Sequence, residues 1–272
     1  MNLSICTTIK NRSKVETQYG PLFLFPNCIE SLANTLHLSD NIELIIADWE
    51  STDYPIDNWI EDKIDIPIEI ITVKHSKNEL SIGKGRNIAA SHATKDVILF
   101  LDADMLIQTS ESLIKGYETA KEWGHCYPQV LYQQTYNKNH WEVHEGGGNV
   151  FIRRDFLQKV GPWPEYWRHG FEDTDFAQKI KSAKEINKEV LYISSEPIFH
   201  QWHPQQFEWK NRYSSNDVKK KEQLIERIEY HQKASNDEMK IIANELEDMI
   251  KHNPFTNHSK KKVAKGEDKR IL

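Results

Sequence analysis

Val97-Ile98-Leu99-Phe100-Leu101-Asp102-Ala103-Asp104-Met105 carries five consecutive apolar residues that end abruptly in two carboxylates one residue apart. The run has the length of a buried strand and is too short to cross a membrane. Ligands of α/β sheets bind at the carboxyl ends of strands. Two carboxylates at such an edge repel each other unless a cation separates them, and a hard divalent cation carrying phosphate oxygens would satisfy both. Alternation along an extended tip predicts Asp102 and Asp104 on one side. One then ligates metal while the other holds a ribose hydroxyl or a metal-bound water. A polar strand exit would explain the pair equally well if it stood alone.

The surrounding pattern alternates strands and helices. Residues 3–9, 42–47, 67–73 and 97–101 read as strands, and residues 29–38 and 83–93 as helices. That order predicts an α/β fold with a mostly parallel central sheet covered on both faces. Beyond Asp104 the reading gives a helix over 110–123, a strand over 126–131 and a polar, aromatic substrate-side loop over 132–145. Gly146-Gly147-Gly148-Asn149 leads into a strand at 150–152. A short helix over 155–160, capped by Asp155, stops at Gly161-Pro162. A helix over 173–183 and a last strand over 190–193 follow, with residues 197–200 leading away from it.

The chain has 272 residues, enough for one large domain or a domain with an appendage. Its net charge of -6 offers no global field for nucleic acid. Cys6, Cys28 and Cys126 are scattered and odd in number, which argues against a disulfide framework or a thiolate metal site and for a reducing compartment. The first residues lack the pattern of a signal peptide, and no segment has 18 consecutive apolar residues.

Four more segments bear on chemistry. Ser81-Ile82-Gly83-Lys84-Gly85-Arg86-Asn87 opens a helix with two glycines and two bases, a place where backbone N–H groups meet an anion. It is neither a Walker loop nor the dinucleotide fingerprint. Arg86 there either orients Asp102 or neutralises phosphate. Asp48, ending the second strand, suits a nucleotide base or ribose contact. In Trp167-Arg168-His169-Gly170-Phe171-Glu172-Asp173-Thr174-Asp175, Glu172 and Asp173 stand at a helix start. Capping alone accounts for such acids; an aromatic surround would instead make one of them a base for a sugar hydroxyl. Phe199-His200-Gln201-Trp202-His203-Pro204 offers two imidazoles for a metal, and Trp202 for stacking. Carboxylate plus imidazole fits Mn2+ better than a magnesium cage.

Together these motifs resemble the family 2 glycosyltransferases, whose nucleotide-sugar-binding fold is GT-A. The resemblance spans roughly residues 1–210. Asp102-Ala103-Asp104 looks like the family's DxD motif, and Gly85-Arg86-Asn87 is similar to its glycine-arginine-asparagine helix start. Thr8 and Asp48 match positions on the nucleobase and ribose side. Asp48-Trp49 departs from the usual double aspartate. The pairing of Gly148-Asn149-Val150-Phe151-Ile152 with Gly170-Phe171-Glu172-Asp173 looks like the chondroitin polymerase and galactosyltransferase branch. That branch implies Glu172 as a sugar contact, Asp173 as the base and His200, ahead of His203, as the metal histidine.

The resemblance implies a nucleotide-binding half over 1–104 and an acceptor and catalytic half over 105–210. A helical extension is expected over 211–250, where Leu224, Ile225, Ile228, Ile241, Ile242, Leu246, Met249 and Ile250 form a stripe. A basic, flexible tail follows over 251–272. The implied activity is inverting transfer of a hexose or N-acetylhexosamine from a UDP-sugar to a glycan hydroxyl in surface polysaccharide synthesis. Asp104, His200, Asp102 and His203 are the candidate ligands of Mn2+, or of Mg2+. Thr8, Asp48, Arg86, Asp102 and Trp202 are the candidate donor contacts. Trp141, His140, His144, Trp163 and Trp167 are candidates for the sugar side. A cytoplasmic location is expected, with peripheral contact at the inner membrane face through the basic tail. Three readings compete: a retaining transferase, a sugar nucleotidyltransferase and a non-catalytic carbohydrate-binding protein. The second wants a glycine-rich basic loop near the N-terminus, and residues 8–14 contain no glycine. The third has no need of Asp102, Asp104 and Asp173 together.

Overall fold

Strands whose two faces are both apolar need cover on both sides, and the chain supplies it by alternating strands with helices. The computed structural model describes residues 1–36, 41–74, 80–136, 141–145, 147–166, 171–183 and 192–204. In chain order the elements are β1 (Asn2–Ile9), the hairpin β2 (Val15–Thr17) and β3 (Gly20–Leu22), α1 (Leu24–Ala33), β4 (Asn41–Asp48) and β5 (Ile68–Thr72). Then come α2 (Ile82–His92), β6 (Val97–Phe100), β7 (Met105–Leu106), α3 (Ser110–Trp123), β8 (His125–Gln133) and β9 (Trp141–Glu145). The last are β10 (Val150–Arg153), α4 (Arg154–Val160), α5 (Glu172–Ala183) and β11 (Tyr192–His200). The chain divides into two units, residues 1–204 and 205–272. The expected helical extension and basic tail lie outside the described residues.

Period-two alternation sorts the core into two layers. Leu3, Ile5, Leu44, Ile46, Val97 and Leu99 pack with Phe25 and Ile29 of α1 and Leu113 of α3. Cys6, Ile45, Ala47, Ile98 and Phe100 pack with Ala89 of α2, Val160 of α4 and Phe176 of α5. The sheet order is β5-β4-β1-β6-β10-β8-β11-β7, with β9 paired to β8. This is a GT-A-like α/β arrangement, a central sheet flanked by helices.

The sheet is more mixed than the alternating pattern implied. β5, β4, β1 and β6 are parallel. β10 then runs antiparallel to both β6 and β8. Most of the described residues in the expected loop over 132–145 are strand: β8 extends to Gln133, and β9 pairs back on it with Gln133 opposite Trp141. Its polar residues misled because one face of this hairpin is open, as the exposed Val143 shows. The first helix begins at Leu24, five residues before the expected start, since Pro26 is tolerated in a first turn. Asp155 does not cap α4; Arg153 is the cap residue, and Asp155 lies in the first turn. The last strand does not end at Ile193. It continues to His200 past Pro197, across a register shift between Ile193 and Ile198 that accommodates the proline.

One contact between layers has no slack. A Cβ on Gly116 of α3 would lie 2.3–2.6 Å from ring atoms of Phe151 on β10. Gly116→Val is expected to lower the unfolding free energy by about 2–3 kcal/mol through overpacking, despite a small gain in helix propensity. Urea unfolding followed by circular dichroism measures this, and an unchanged midpoint would show that Phe151 yields without cost.

Candidate active site

β6 ends at Phe100, and the chain turns at once, closed by the Met105 N–H donating to the Asp102 carbonyl at 3.2 Å. The turn breaks the alternation that placed both carboxylates on one side, so each has its own partners. Asp102 Oδ1 accepts from Arg86 Nη2 at 2.7 Å, and Oδ2 accepts from Asn149 Nδ2 at 3.2 Å. The Asn149 side-chain Oδ1 accepts the Asp102 backbone N–H at 2.8 Å. Arg86 is buried, and its guanidinium carbon lies 4.3 Å from the Trp163 ring centroid. A Cβ on Gly148 would sit 1.7 Å from Arg86 Nη2, so only glycine leaves room for this side chain. Burial disfavours the arginine's charge, but Asp102, Glu172 and Asp173 around it raise its proton affinity above the usual value.

Asp104 belongs to a different group. β7 pairs with β11 so that Met105 lies opposite His200, and the Gln201 N–H donates to the Asp104 carbonyl at 2.9 Å. This register brings His200 Nε2 to 3.7 Å and His203 Nε2 to 3.3 Å from Asp104 Oδ2. One carboxylate oxygen and two imidazole nitrogens lie within 4.8 Å of one another, a donor set that fits a divalent cation of the Mn2+ type. The Tyr132 ring stacks on His200 at 4.3 Å, and Arg12 Nη1 lies 3.4 Å from His203 Nδ1. Burial opposes the charge of Asp104, yet His200, His203 and Arg12 hold its carboxyl far below the usual range. Burial lowers the proton affinity of His200 in spite of Asp104, a shift toward the neutral imidazole that binds metal. Asp102, a candidate ligand by sequence, is not part of this cluster among the described residues. Arg86 and Asn149 occupy its carboxylate.

The second acidic focus opens α5. Glu172 is buried and Asp173 half-buried. Asp173 Oδ1 accepts the Thr174 N–H at 2.8 Å, while Oδ2 lies 3.6 Å from where a Cβ on Gly147 would be. Burial, then the neighbouring Glu172, push the Asp173 carboxyl above the usual aspartate value, with Arg86 pulling the other way. Asp175 is structural: it is buried and accepts the Tyr166 hydroxyl at 2.6 Å. Trp163, a candidate sugar platform by sequence, is instead a core residue stacked on Phe176 at 3.8 Å. Trp167 and His140 lie outside the described residues, as does the side chain of His144. Trp141 packs edge-on against Phe199 at 5.2 Å.

Thr8 and Asp48 stand at the carboxyl ends of β1 and β4. Thr8 Oγ1 accepts the Trp49 indole N–H at 2.9 Å and donates to the Ala47 carbonyl at 3.3 Å. Gly85 of α2 presses on this pair, since a Cβ there would lie 2.0 Å from Thr8 Oγ1. Trp49, where the family pattern has a second aspartate, is therefore buried floor. Asp48 Oδ1 accepts the Ser51 N–H at 3.0 Å and shapes the loop beside it. Trp202 joins a three-ring cluster, 5.8 Å from Tyr19 and 5.3 Å from Tyr136.

Sequence reasoning overlooked what Tyr132, Arg12 and Asn149 do here. Tyr132 was hidden in an apparent loop. Asn149 had a usable signal: an amide after a glycine run, entering a strand beside the Asp102 strand.

Among the described residues no helix is long and apolar enough to cross a membrane. The sequence pattern of the family described as Glycosyl transferase family 2 matches residues 24–224. Poly(ribitol-phosphate) beta-glucosyltransferase of Bacillus spizizenii is 32% identical over 106 residues, 38% of this chain and only 16% of that protein's length. The crystal structure of S. aureus TarS 1-349 in complex with UDP-GlcNAc superposes with a TM-score of 0.63 at 16% identity, covering 97% of this chain and 76% of that one. In another crystal structure of TarS 1-349 the chain spans 60% of its length. Mannosyltransferase PcManGT from Pyrobaculum calidifontis, in complex with GDP-Man and Mn2+, superposes with a TM-score of 0.57 at 14% identity, over 92% of this chain and 69% of that one. The structural likenesses speak for the fold. A family pattern that begins with α1 and runs past β11 speaks for descent, and by it this chain belongs to glycosyl transferase family 2, as a glycosyltransferase-family enzyme with a GT-A-like fold.

Proposed function

We propose that this chain transfers a hexose or N-acetylhexosamine from a UDP-sugar to a hydroxyl of a surface glycan or polymer, inverting the anomeric carbon. The observation that carries this reading is a division of labour. A carboxylate–imidazole cluster at Asp104, His200 and His203 is separate from Asp173, a carboxylate with raised proton affinity. The first suits a leaving diphosphate and the second an attacking hydroxyl. The TarS fold bound to UDP-GlcNAc supports a uridine donor. The name of the Bacillus spizizenii relative puts a ribitol-phosphate polymer among the acceptors to test. Gly148-Asn149 and Glu172-Asp173 support kinship with the chondroitin polymerase and galactosyltransferase branch.

Asp104, His200 and His203 would hold Mn2+, with Mg2+ as the weaker substitute. The ion supplies charge neutralisation for the departing nucleotide. Asp102, fixed by Arg86 and Asn149, faces the ribose. Thr8 and Asp48 shape the nucleoside site, and Trp202 offers its ring at the metal side. Glu172 contacts a sugar hydroxyl, and Asp173 removes the acceptor proton as that oxygen attacks opposite the nucleotide. No covalent intermediate is required.

Asp173→Asn is expected to leave UDP-sugar binding within a few-fold while turnover falls by about 10²–10⁴. A donor screen with Mn2+, read by UDP release and by the anomeric configuration of the product, tests both base and stereochemistry. Unchanged turnover removes Asp173 from the role, and retained configuration favours the retaining alternative. The double variant His200→Ala/His203→Ala should abolish Mn2+ binding followed by electron paramagnetic resonance; wild-type-like binding would place the ion elsewhere. Because activity needs ionised Asp173 and its carboxyl is raised, the acid limb of kcat/KM should lie above the ordinary aspartate value of about 3.9. Glu172→Gln removes a neighbouring negative charge, so the limb should move to lower pH. A limb that stays in place would mean that another group titrates.

A further inference from the structure

Three consecutive residues, Gly147, Gly148 and Asn149, meet three different charged groups in turn. A Cβ on Gly147 would lie 3.6 Å from Asp173 Oδ2, and one on Gly148 would lie 1.7 Å from Arg86 Nη2 and 3.0 Å from its Nη1. Asn149 holds Asp102 by its amide and accepts the Asp102 backbone N–H. Gly147 has a φ of +56°, the left-handed region that favours glycine. Arg86 sits among these groups, 4% exposed and against Trp163. Its Nη2 is committed to Asp102, and its buried Nη1 makes no hydrogen bond.

We infer that Arg86 is a positioning residue for Asp173 as well as for Asp102, held between them by the Gly147-Gly148-Asn149 segment. The inference rests on the reading of Asp173 as the base. One guanidinium serves three carboxylates, because Asp102, Glu172 and Asp173 all act on it. Asp102 engages only Nη2. The consecutive glycines 147 and 148 set Asp173 Oδ2 and the guanidinium beside neighbouring backbone positions, so the field of the same cation also reaches the start of α5. Among the described residues, the charged and titratable groups acting on Asp173 are Glu172 on α5, Arg86 on α2 and Asp102 beyond β6, with Tyr132 on β8 in the same field. Arg86 is the cation of that set. It keeps Asp173 ionised enough to accept a proton while burial and Glu172 press the other way. The donor-side carboxylate and the base are therefore set by one buried cation, and neither can move without the other being felt.

The test reads Asp173 directly and without substrate. Aspartate carboxyl carbons labelled with 13C are titrated by NMR in the full chain, with Asp173 assigned by its loss in Asp173→Asn. Wild type is compared with Arg86→Met, Arg86→Lys and Gly148→Ala. Arg86→Met should raise the Asp173 midpoint by about one unit or more, the scale of losing a nearby opposite charge. Gly148→Ala, which adds no charge but displaces the guanidinium, should shift it in the same direction, and Arg86→Lys should shift it less than Arg86→Met. An Asp173 midpoint that stays put in folded Arg86→Met or Gly148→Ala overturns the inference and leaves Arg86 a partner of Asp102 alone. If Arg86→Met fails to fold by near-ultraviolet circular dichroism, Gly148→Ala and Arg86→Lys decide, with any upward shift supporting and none refuting. Failure of sugar transfer in wild type would refute the proposed function while leaving this titration readable. Where transfer is found, the acid limb of UDP release should move with the NMR midpoint.

Discussion

A guanidinium buried against an indole, paired with one carboxylate and near two more, is the constraint around which this molecule is arranged. Burying an ion pair costs several kcal/mol per charge in desolvation, and losing one partner typically costs about 3–5 kcal/mol. The Arg86–Asp102 pair meets that cost with a 2.7 Å charge-assisted bond, two further bonds from Asn149 and the face of Trp163. Gly148 exists as glycine because the guanidinium occupies the space of its Cβ. Gly85, next to Arg86, presses on Thr8 and Trp49, so the same helix start also fixes the floor between β1 and β4.

From that centre the site extends in two directions. On one side the turn after β6 sends Asp104 away from Asp102 and toward β11, where two imidazoles share its Oδ2. On the other, the start of α5 places Asp173 beside Gly147. Opposite electrostatic surroundings follow. Asp104 lies among His200, His203 and Arg12 and is held strongly acidic, whereas Asp173 lies beside Glu172 and is raised. Two carboxylates in one site are thereby pushed in opposite directions, one toward the ionised and the other toward the protonated form.

Much of this was legible in order along the chain. The apolar run at 97–101, the helix over 110–123 and the acidic start of α5 announce themselves by periodicity and by dipole chemistry. His200 and His203 were legible as ligand types. Illegible were the partnerships. Spacing of one residue suggested a shared role for Asp102 and Asp104, but a turn closed by a single hydrogen bond separates them. Trp163 looked like a sugar platform because nothing in a Gly-Pro-Trp-Pro stretch shows that Phe176 will cover it. The β8–β9 hairpin looked like a loop because a strand with one open face can be as polar as one.

The amino-acid sequence by itself determined the alternation of strand and helix, the two apolar faces of the central strands and the chemical types gathered at their carboxyl ends. These follow from local periodicity and side-chain chemistry, which need no knowledge of distant contacts. Only the tertiary structure decided that Asp104 meets His200 and His203 while Asp102 meets Arg86 and Asn149, and that Asp173 lies at Gly147. Those meetings depend on the β7–β11 register and on a guanidinium filling the space left by a missing Cβ, long-range packing facts that no spacing along one chain encodes.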